Sequence, residues 1–204
     1  MPPLFPLPDP LSLSGPPVGY GWEKQQGLLT RTSFARGIQT RDAHPNWRCV
    51  VCGTPITLNL AHIVGKRDQA TWDFLRDHKW IPWPGSKPSP KHDPRNGLTL
   101  CSAHHAGFDK GHFFIRYIPS DPVGKFVLIN FSGIPAYQAY DGKAIALDKS
   151  HRHAPFKSLF IMHEKRVRGL YPFQPIAPHL QPEIAWQDWM VSEGLVATAT
   201  GRLL

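Results

Sequence analysis

The chain has 204 residues, of which 41% are hydrophobic and 19% charged, and its formal net charge is +8 at pH 7. This length suits one domain with one core, and no apolar run approaches the length of a membrane-spanning helix. The basic balance favours polyanionic partners, because Lys and Arg side chains that neutralise phosphates release counterions. The three cysteines exclude a complete disulfide framework, so we expect an intracellular protein with reduced thiols.

The N-terminal part is predicted to begin with an irregular segment. Residues 1–24 are proline-rich, and they lack the basic and apolar regions of a secretory signal. Apolar spacing then predicts an amphipathic helix over 25–39. Loose alternation predicts a strand over 56–64 that carries His62, and a helix is predicted over 68–78.

A proline-rich loop over 82–94 leads into the second part of the chain. The pair Asn96-Gly97 predicts a tight turn, because both residues tolerate a positive φ. A short apolar segment over 98–101 then enters a helix, which Gly111 would end.

Beyond this helix the pattern changes to strands, which are predicted over 113–118, 125–130 and 144–147. A last helix is predicted over 182–193, with Trp186, Trp189 and Met190 on one face. The proline-rich head and this tryptophan-rich tail leave open a protein-interaction scaffold as one interpretation.

Four potential metal ligands occur as two pairs with the same spacing. Two residues separate Cys49 from Cys52, and two separate Cys101 from His104. Zinc binds four such ligands tetrahedrally, and each short gap lets one turn offer two donors to the same ion. A redox dithiol is the alternative, but it would be expected beside a βαβ pattern, which the sequence does not show. The sequence therefore predicts a structural zinc site that joins the two ends of the long segment between Cys52 and Cys101.

Further motifs lie beside and between these pairs, in the order Arg41-Asp42, Ala61-His62-Ile63-Val64, Asn96-Gly97-Leu98-Thr99-Leu100-Cys101 and His104-His105. With this order and spacing, about residues 34–114 resemble the HNH endonuclease family. The chain is similar to the branch whose last motif reads His-x-x-Phe-Asp, here from His105 to Asp109. The resemblance implies a ββα-metal fold, with His62 and Asn96 on two strands and His105 on the helix.

The resemblance also implies roles for these residues in hydrolysing a phosphodiester bond. His62 would act as general base, because the pKa of histidine lies near the working pH. Asn96 would orient the loop that presents His62, and His105 would hold a single catalytic divalent ion. Asp109 follows His105 by four residues on one helix face, so it could be a co-ligand of that ion, or instead cap local backbone or pair with Lys110.

Ala61 departs from many family members, which carry Asp or His at this position as a further metal ligand. The branch that the chain resembles also has a small residue there. With fewer protein ligands, we expect a weakly held ion: magnesium, or one of the softer ions manganese, nickel or zinc. Ala61 also keeps open a second interpretation, a catalytically inactive zinc module that binds nucleic acid.

Basic residues around these motifs are candidates for gripping the phosphates of nucleic acid, with solvated surface charge as the alternative. These candidates are Lys66, Arg67, Arg95 and Lys110. A second basic stretch, between Arg152 and Arg168, would either extend this track or form a charged face.

Together the patterns predict an α+β fold, a zinc-stapled ββα-metal core with additional strands and flanking helices. We divide the chain into a proline-rich segment (1–24), an HNH nuclease core (25–118) and a C-terminal strand and helix extension (119–204) that packs on the core. The expected function is divalent-metal-dependent hydrolysis of phosphodiester bonds, above all in DNA.

Overall fold

The structure is a computed structural model that describes Leu13 and residues 15–21, 33–42, 47–119, 124–170, 185–192, 194–198 and 202–203. Its helices are α1 (Phe34–Asp42), α2 (Gln69–Asp77), α3 (Ser102–Asp109), α4 (Pro135–Gln138), α5 (Lys157–Leu170) and α6 (Asp188–Ser192), and a 3-10 helix spans Pro94–Asn96. Its strands are β1 (Leu58–His62), β2 (Gly97–Cys101), β3 (Phe114–Ile118), β4 (Lys125–Ile129), β5 (Val196–Ala197) and β6 (Arg202–Leu203). Consecutive strands pair into three antiparallel two-stranded sheets. This mixture of helices and small sheets confirms the predicted α+β class.

The β1–β2 pair and α3 form a ββα unit at the centre of the chain. Leu58 pairs with Cys101 at one end of the sheet, and His62 pairs with Gly97 at the other. Every residue of β2 is buried, and α3 begins at the residue after β2 ends. The strand predicted around His62 and the helix predicted after residue 101 are therefore confirmed.

The Arg41-Asp42 pair holds the end of α1 against β2. The two side chains form a bidentate ion pair that is almost completely buried. Arg41 Nη2 also donates to the Gly97 carbonyl at 2.9 Å, and Asp42 Oδ2 accepts from the Thr99 amide at 3.2 Å. Charged hydrogen bonds of this kind fix geometry in a low-dielectric interior. The motif therefore acts as a clamp on the backbone of β2.

The tight turn predicted at Asn96-Gly97 is wrong. Asn96 ends the 3-10 helix, and Gly97 has the extended φ of −139° as the first residue of β2. The glycine is required by close packing, because a Cβ there would lie 2.3 Å from Ile38 Cδ1 and 2.7 Å from the Phe34 ring. Gly97 thus lets α1 approach the sheet at the position opposite His62.

The longest helix among the described residues, α5, lies in a stretch where no helix was predicted. Its buried residues include Leu159, Phe160, His163 and Val167, whose three- and four-residue spacing is helical. The sequence displays this spacing, but the stretch was interpreted from its basic residues, as a nucleic-acid track or a charged face. The helix packs against the β3–β4 hairpin, to which Glu164 is joined by an ion pair with Arg116.

Two smaller predictions are corrected in the C-terminal part of the chain. Residues 144–147 do not form a regular strand, because Ala144 makes isolated bridges to Val127 and Trp186. The last helix, α6, is shorter than predicted, and Trp186 precedes it. The predicted start and end of that helix, 182–184 and 193, lie outside the described residues.

The proline-rich segment and the start of the first predicted helix also fall mainly outside the described residues, which begin α1 at Phe34. Buried apolar residues from Cys49 to Val196 form one continuous core. The boundary at 118/119 stays a prediction, although β3 and β4 pair directly across it. No helix among the described residues is long and apolar enough to cross a membrane.

Candidate functional site

His62 occupies the last position of β1 and is half-buried between α1 and the loop before the 3-10 helix. Its imidazole stacks on the Phe34 ring, with ring centroids 4.0 Å apart and planes inclined by 5°. Its Nε2 atom lies 3.5 Å from the carbonyl oxygen of Lys91. Burial lowers the pKa of His62 below its ordinary value and outweighs the raising effect of the hydrogen bond to the Lys91 carbonyl, while nearby Lys66 lowers the pKa further. The imidazole is therefore held in place and remains neutral at neutral pH.

Asn96 is fully buried and ties together the backbone segments around His62. Its side chain accepts from the Val64 amide and donates to the Val64 carbonyl, both at 2.8 Å, and donates to the Pro90 carbonyl at 3.0 Å. Its own carbonyl accepts from the Ile63 amide at 2.9 Å. A buried amide with all these partners has no free group for a substrate. Its contacts suit a residue that positions His62.

His105 and Asp109 project from one face of α3 toward solvent. His105 Nε2 lies 3.3 Å from Asp109 Oδ2, and both side chains are partly exposed, by 29% and 60%. Two ligands at right angles on an ion with bonds of about 2.1 Å would be about 3 Å apart. The pair could therefore form one side of a divalent-ion site.

The four residues predicted to bind zinc converge, and their donor atoms all lie within 4.8 Å of one another. The separations are 3.7 Å from Cys49 Sγ to His104 Nδ1, 3.9 Å between the sulfurs of Cys52 and Cys101, and 3.1 Å from Cys101 Sγ to His104 Nδ1. Four ligands around a zinc ion with bonds of about 2.3 Å would be about 3.8 Å apart. This donor set could hold a zinc ion, as predicted.

Hydrogen bonds of the local backbone form the turn that directs Cys49 and Cys52 toward the same cluster. The Cys49 amide donates to Thr54 O at 3.0 Å, and the Gly53 amide donates to Cys49 O at 2.9 Å. The φ of Gly53 is +73°, which lets the chain turn tightly after Cys52. The Val50 amide donates to Thr99 O at 3.0 Å and joins this turn to β2.

The cysteine cluster has the electrostatic character of a cation site. Hydrogen bonding with Cys49 and then burial raise the pKa of Cys101 to about 12, whereas hydrogen bonding with Cys49 lowers the pKa of Cys52. Neighbouring thiols in a buried cluster cannot all lose their protons without a compensating positive charge. A divalent cation would supply that charge and stabilise the thiolates.

The structure separates the predicted phosphate-binding residues into two groups. The side chains of Lys66, Arg67 and Lys110 are exposed near the site, so their proposed role stays open. The prediction that Arg95 binds phosphate is wrong. Its guanidinium is 0% exposed, pairs with buried Asp93 at 2.9 Å and donates to the Gly85 carbonyl. A group enclosed in this way cannot reach a phosphate, and Arg95 instead holds the loop that precedes β2.

Two residues near the site were not assigned to it from the sequence. Phe34 falls within the amphipathic helix predicted over 25–39, which was not expected to contact the site, although its ring stacks on His62. Arg166 was noted only within the second basic stretch, yet it lines a cavity together with His62 and Asp109. Both lie far from His62 along the chain, so no local motif could have joined them to it.

Comparison with known proteins supports the interpretation of this segment. Residues 49–116 match the family model described as HNH endonuclease. No curated protein and no solved structure matches the chain. The matched segment contains His62, Asn96, His105 and Asp109 and all four potential zinc ligands, whereas α1 and α5 lie outside it. The resemblance to this family is thereby confirmed over the matched residues.

Proposed function

From the HNH endonuclease match over residues 49–116, we propose that the chain is a divalent-metal-dependent endonuclease that hydrolyses phosphodiester bonds in DNA. The observation that carries this proposal is that half-buried His62 lines the same cavity as Asp109, whose carboxylate lies 3.3 Å from His105. A proton acceptor beside a potential cation site is what phosphodiester hydrolysis requires.

His62 is the proposed general base. A carbonyl oxygen can only accept a hydrogen bond, so the Lys91 carbonyl favours the tautomer with the proton on Nε2. The lone pair of Nδ1 is then free to accept a proton from water. Stacking on Phe34 restrains the plane of the ring, so this lone pair keeps its direction.

His105 and Asp109 are the proposed ligands of the catalytic divalent ion, which when bound would polarise the phosphate and neutralise charge on the leaving oxygen. In the reaction the oxygen of water forms a bond to phosphorus, and His62 takes one of its protons. The bond from phosphorus to the 3′ oxygen breaks, and that oxygen gains a proton from solvent. Asn96 takes no part in this transfer and holds the backbone that presents His62.

The ion is expected to be held weakly, because among the described residues we propose two protein ligands for it, His105 and Asp109. The methyl side chain of Ala61 cannot ligate a metal, so this position contributes no side-chain ligand. We propose magnesium as the catalytic ion, with manganese, nickel and zinc as the alternatives. The Cys49, Cys52, Cys101 and His104 cluster is proposed to bind a separate structural zinc ion.

The net charge of +8 supports a nucleic-acid partner, DNA in this proposal. The exposed side chains of Lys66, Arg67 and Lys110 are proposed to contact its phosphates. The nuclease core is proposed to span 25–118, between a proline-rich segment and an extension over 119–204. We further propose that the protein acts inside the cell, where thiols of a zinc cluster stay reduced.

The proposed function is tested by plasmid cleavage with magnesium, manganese, nickel and zinc, comparing the full chain with His62→Ala and His105→Ala. Both variants should lose cleavage by about 100-fold or more while still unfolding in a single cooperative transition, which shows that the fold is retained. His78→Ala is the matched control, because His78 lies at the far end of α2. It should cleave as the wild type does.

Cleavage by His62→Ala at the wild-type rate would refute the proposed role of the histidine. Salt-dependent DNA binding without cleavage in any metal would instead support the inactive zinc module, which the alanine at position 61 keeps open. If the protein neither binds nor cleaves DNA, the result would favour an interaction scaffold.

A further inference from the structure

A cavity of about 90 Å³ opens beside His62, between the ββα unit and α5. From the unit it is lined by His62 and Asp109, and from α5 by His163, Arg166 and Val167. The cavity therefore places one cation of α5 beside the proposed base and a proposed metal ligand.

Arg166 is partly exposed at this cavity, and among the described residues its ion pair is with Asp68. Its Nη2 atom lies 3.3 Å from Asp68 Oδ2, and the two side chains are 47% and 33% exposed. An ion pair of this exposure contributes little free energy, so another anion can displace it readily. The other carboxylate oxygen of Asp68 accepts from the Thr71 amide at 3.1 Å and caps α2. Asp68 would therefore keep its capping contact if Arg166 turned away.

The position of α5 relative to the proposed metal ligands is fixed by buried contacts. The His163 ring stacks on the Phe108 ring of α3, with centroids 3.8 Å apart and planes inclined by 10°. His163 Nε2 also lies 3.3 Å from the Phe108 carbonyl, and Glu164 pairs with Arg116 of β3. Because Phe108 directly precedes Asp109, these contacts hold Arg166 at a defined distance from the site.

We propose that Arg166 binds the nucleic-acid phosphate that is acted on at His62, exchanging its partner Asp68 for that phosphate. This inference rests on the proposed nuclease function. A guanidinium suits the role, because its planar fork donates two parallel hydrogen bonds to phosphate oxygens. Since α5 lies outside the family match, the HNH segment alone would lack this contact. The phosphate site is thus completed by the C-terminal extension.

The inference is tested on the full chain with the variants Arg166→Ala, Arg166→Lys and Asp68→Asn. The matched control is Arg168→Ala, since Arg168 lies on the same helix but pairs with Glu164 at 3.1 Å. Cleavage of a DNA duplex is measured for kcat and KM. Binding of the same duplex is measured between 50 and 200 mM salt without a divalent ion, and the melting temperature of each variant is recorded.

Arg166→Ala should lower kcat/KM by about 10- to 100-fold, as expected for a lost charged hydrogen bond. It should also reduce, by about one, the slope with which the logarithm of the binding constant falls with the logarithm of the salt concentration. Arg166→Lys should recover only part of this loss, because a lysine cannot form the bidentate contact. Asp68→Asn keeps the capping oxygen and removes the competing charge, so it should bind DNA several-fold more tightly. Arg168→Ala should stay within about twofold of the wild type.

Equal effects of Arg166→Ala and Arg168→Ala on binding and cleavage would overturn the inference, as would unchanged binding by Asp68→Asn. These outcomes leave cleavage by the wild type intact, so the proposed function would survive them. Absence of cleavage by the wild type in every metal would refute the proposed function, and the binding measurements would still decide whether Arg166 contacts phosphate.

Discussion

The imidazole of His62 lies parallel to the ring of Phe34, 4.0 Å from it, although the two residues belong to a strand and to a helix that precedes it. The contact is possible because Gly97, which pairs with His62 across the sheet, has no side chain. Phe34 therefore occupies the space that a cross-strand side chain would otherwise fill. In the proposed mechanism it sets the orientation of the base.

Phe34→Leu should lower kcat about 3- to 10-fold, because a stacked aromatic pair contributes about 0.5–1.5 kcal/mol beyond its buried area. KM should change little, since Phe34 is not expected to contact DNA. Phe34→Tyr retains the stacking and should restore most of kcat. A Leu variant with unchanged kcat would show that the stacking does not orient His62.

Gly97→Ala should destabilise the fold by about 1–3 kcal/mol, the usual cost of overpacking a core. The new Cβ would lie 2.3 Å from Ile38 and 2.7 Å from Phe34, so α1 would have to move away from the sheet. Urea denaturation measures this loss. Gly65→Ala is the control, because the nearest described atom to its new Cβ would be the Asp68 Cβ, at the ordinary contact distance of 3.9 Å. Equal stability of both variants would contradict the close packing described for Gly97.

Cys49→Ser should abolish the binding of zinc and lower the melting temperature, because an ion that joins distant segments stabilises the fold directly. We expect one zinc ion per chain in the wild type and none in the variant, measured by native mass spectrometry. His105→Ala is the control and should retain its zinc. Full stability of Cys49→Ser would refute a structural role for the ion.

Arg95→Ala should lower the free energy of unfolding by about 3–5 kcal/mol, because it leaves the carboxylate of Asp93 buried without its cation. The variant also loses the contact of the guanidinium with the Phe156 ring, 4.3 Å from its centroid. Lys66→Ala, at an exposed position, should change stability by less than about 0.5 kcal/mol. Similar stability of the two variants would contradict the structural role of Arg95.

The acid limb of the cleavage profile should have its inflection below pH 6.5. Burial lowers the pKa of His62, so the neutral form that accepts a proton persists to lower pH than for an exposed histidine. Activity is then lost as the pH falls through this lowered pKa and the imidazole becomes protonated. Measurement of kcat/KM between pH 4.5 and 8 locates the inflection, and a value above 7 would contradict the assignment of His62.

Local patterns predicted those parts of the site that lie close together in the sequence. The paired spacing of Cys49 with Cys52 indicated one half of the zinc cluster, and the spacing of His105 and Asp109 indicated one face of a helix. Strand alternation placed His62 correctly near the end of β1. These features follow from backbone geometry over a few residues, which a sequence displays directly.

Residue type alone gave wrong predictions at positions whose role depends on tertiary packing. Asn96 and Gly97 are common in turns, but here one ties backbone segments together and the other admits α1 to the sheet. Arg95 looks like a phosphate ligand in the sequence, yet Asp93 and the surrounding loop enclose it. The same residue type serves either purpose, because its surroundings set its exposure and its partners.

By itself, then, the sequence determined the ligand pairs, the periodicity of the ββα unit and the family to which residues 49–116 are matched. Only the tertiary structure decided that Phe34 would face His62 and that Arg166 would reach the same cavity. Those two residues lie in α1 and α5, on either side of the matched segment along the chain. Contacts between such distant segments depend on how helices pack against the core, and no periodicity within either helix specifies its partner.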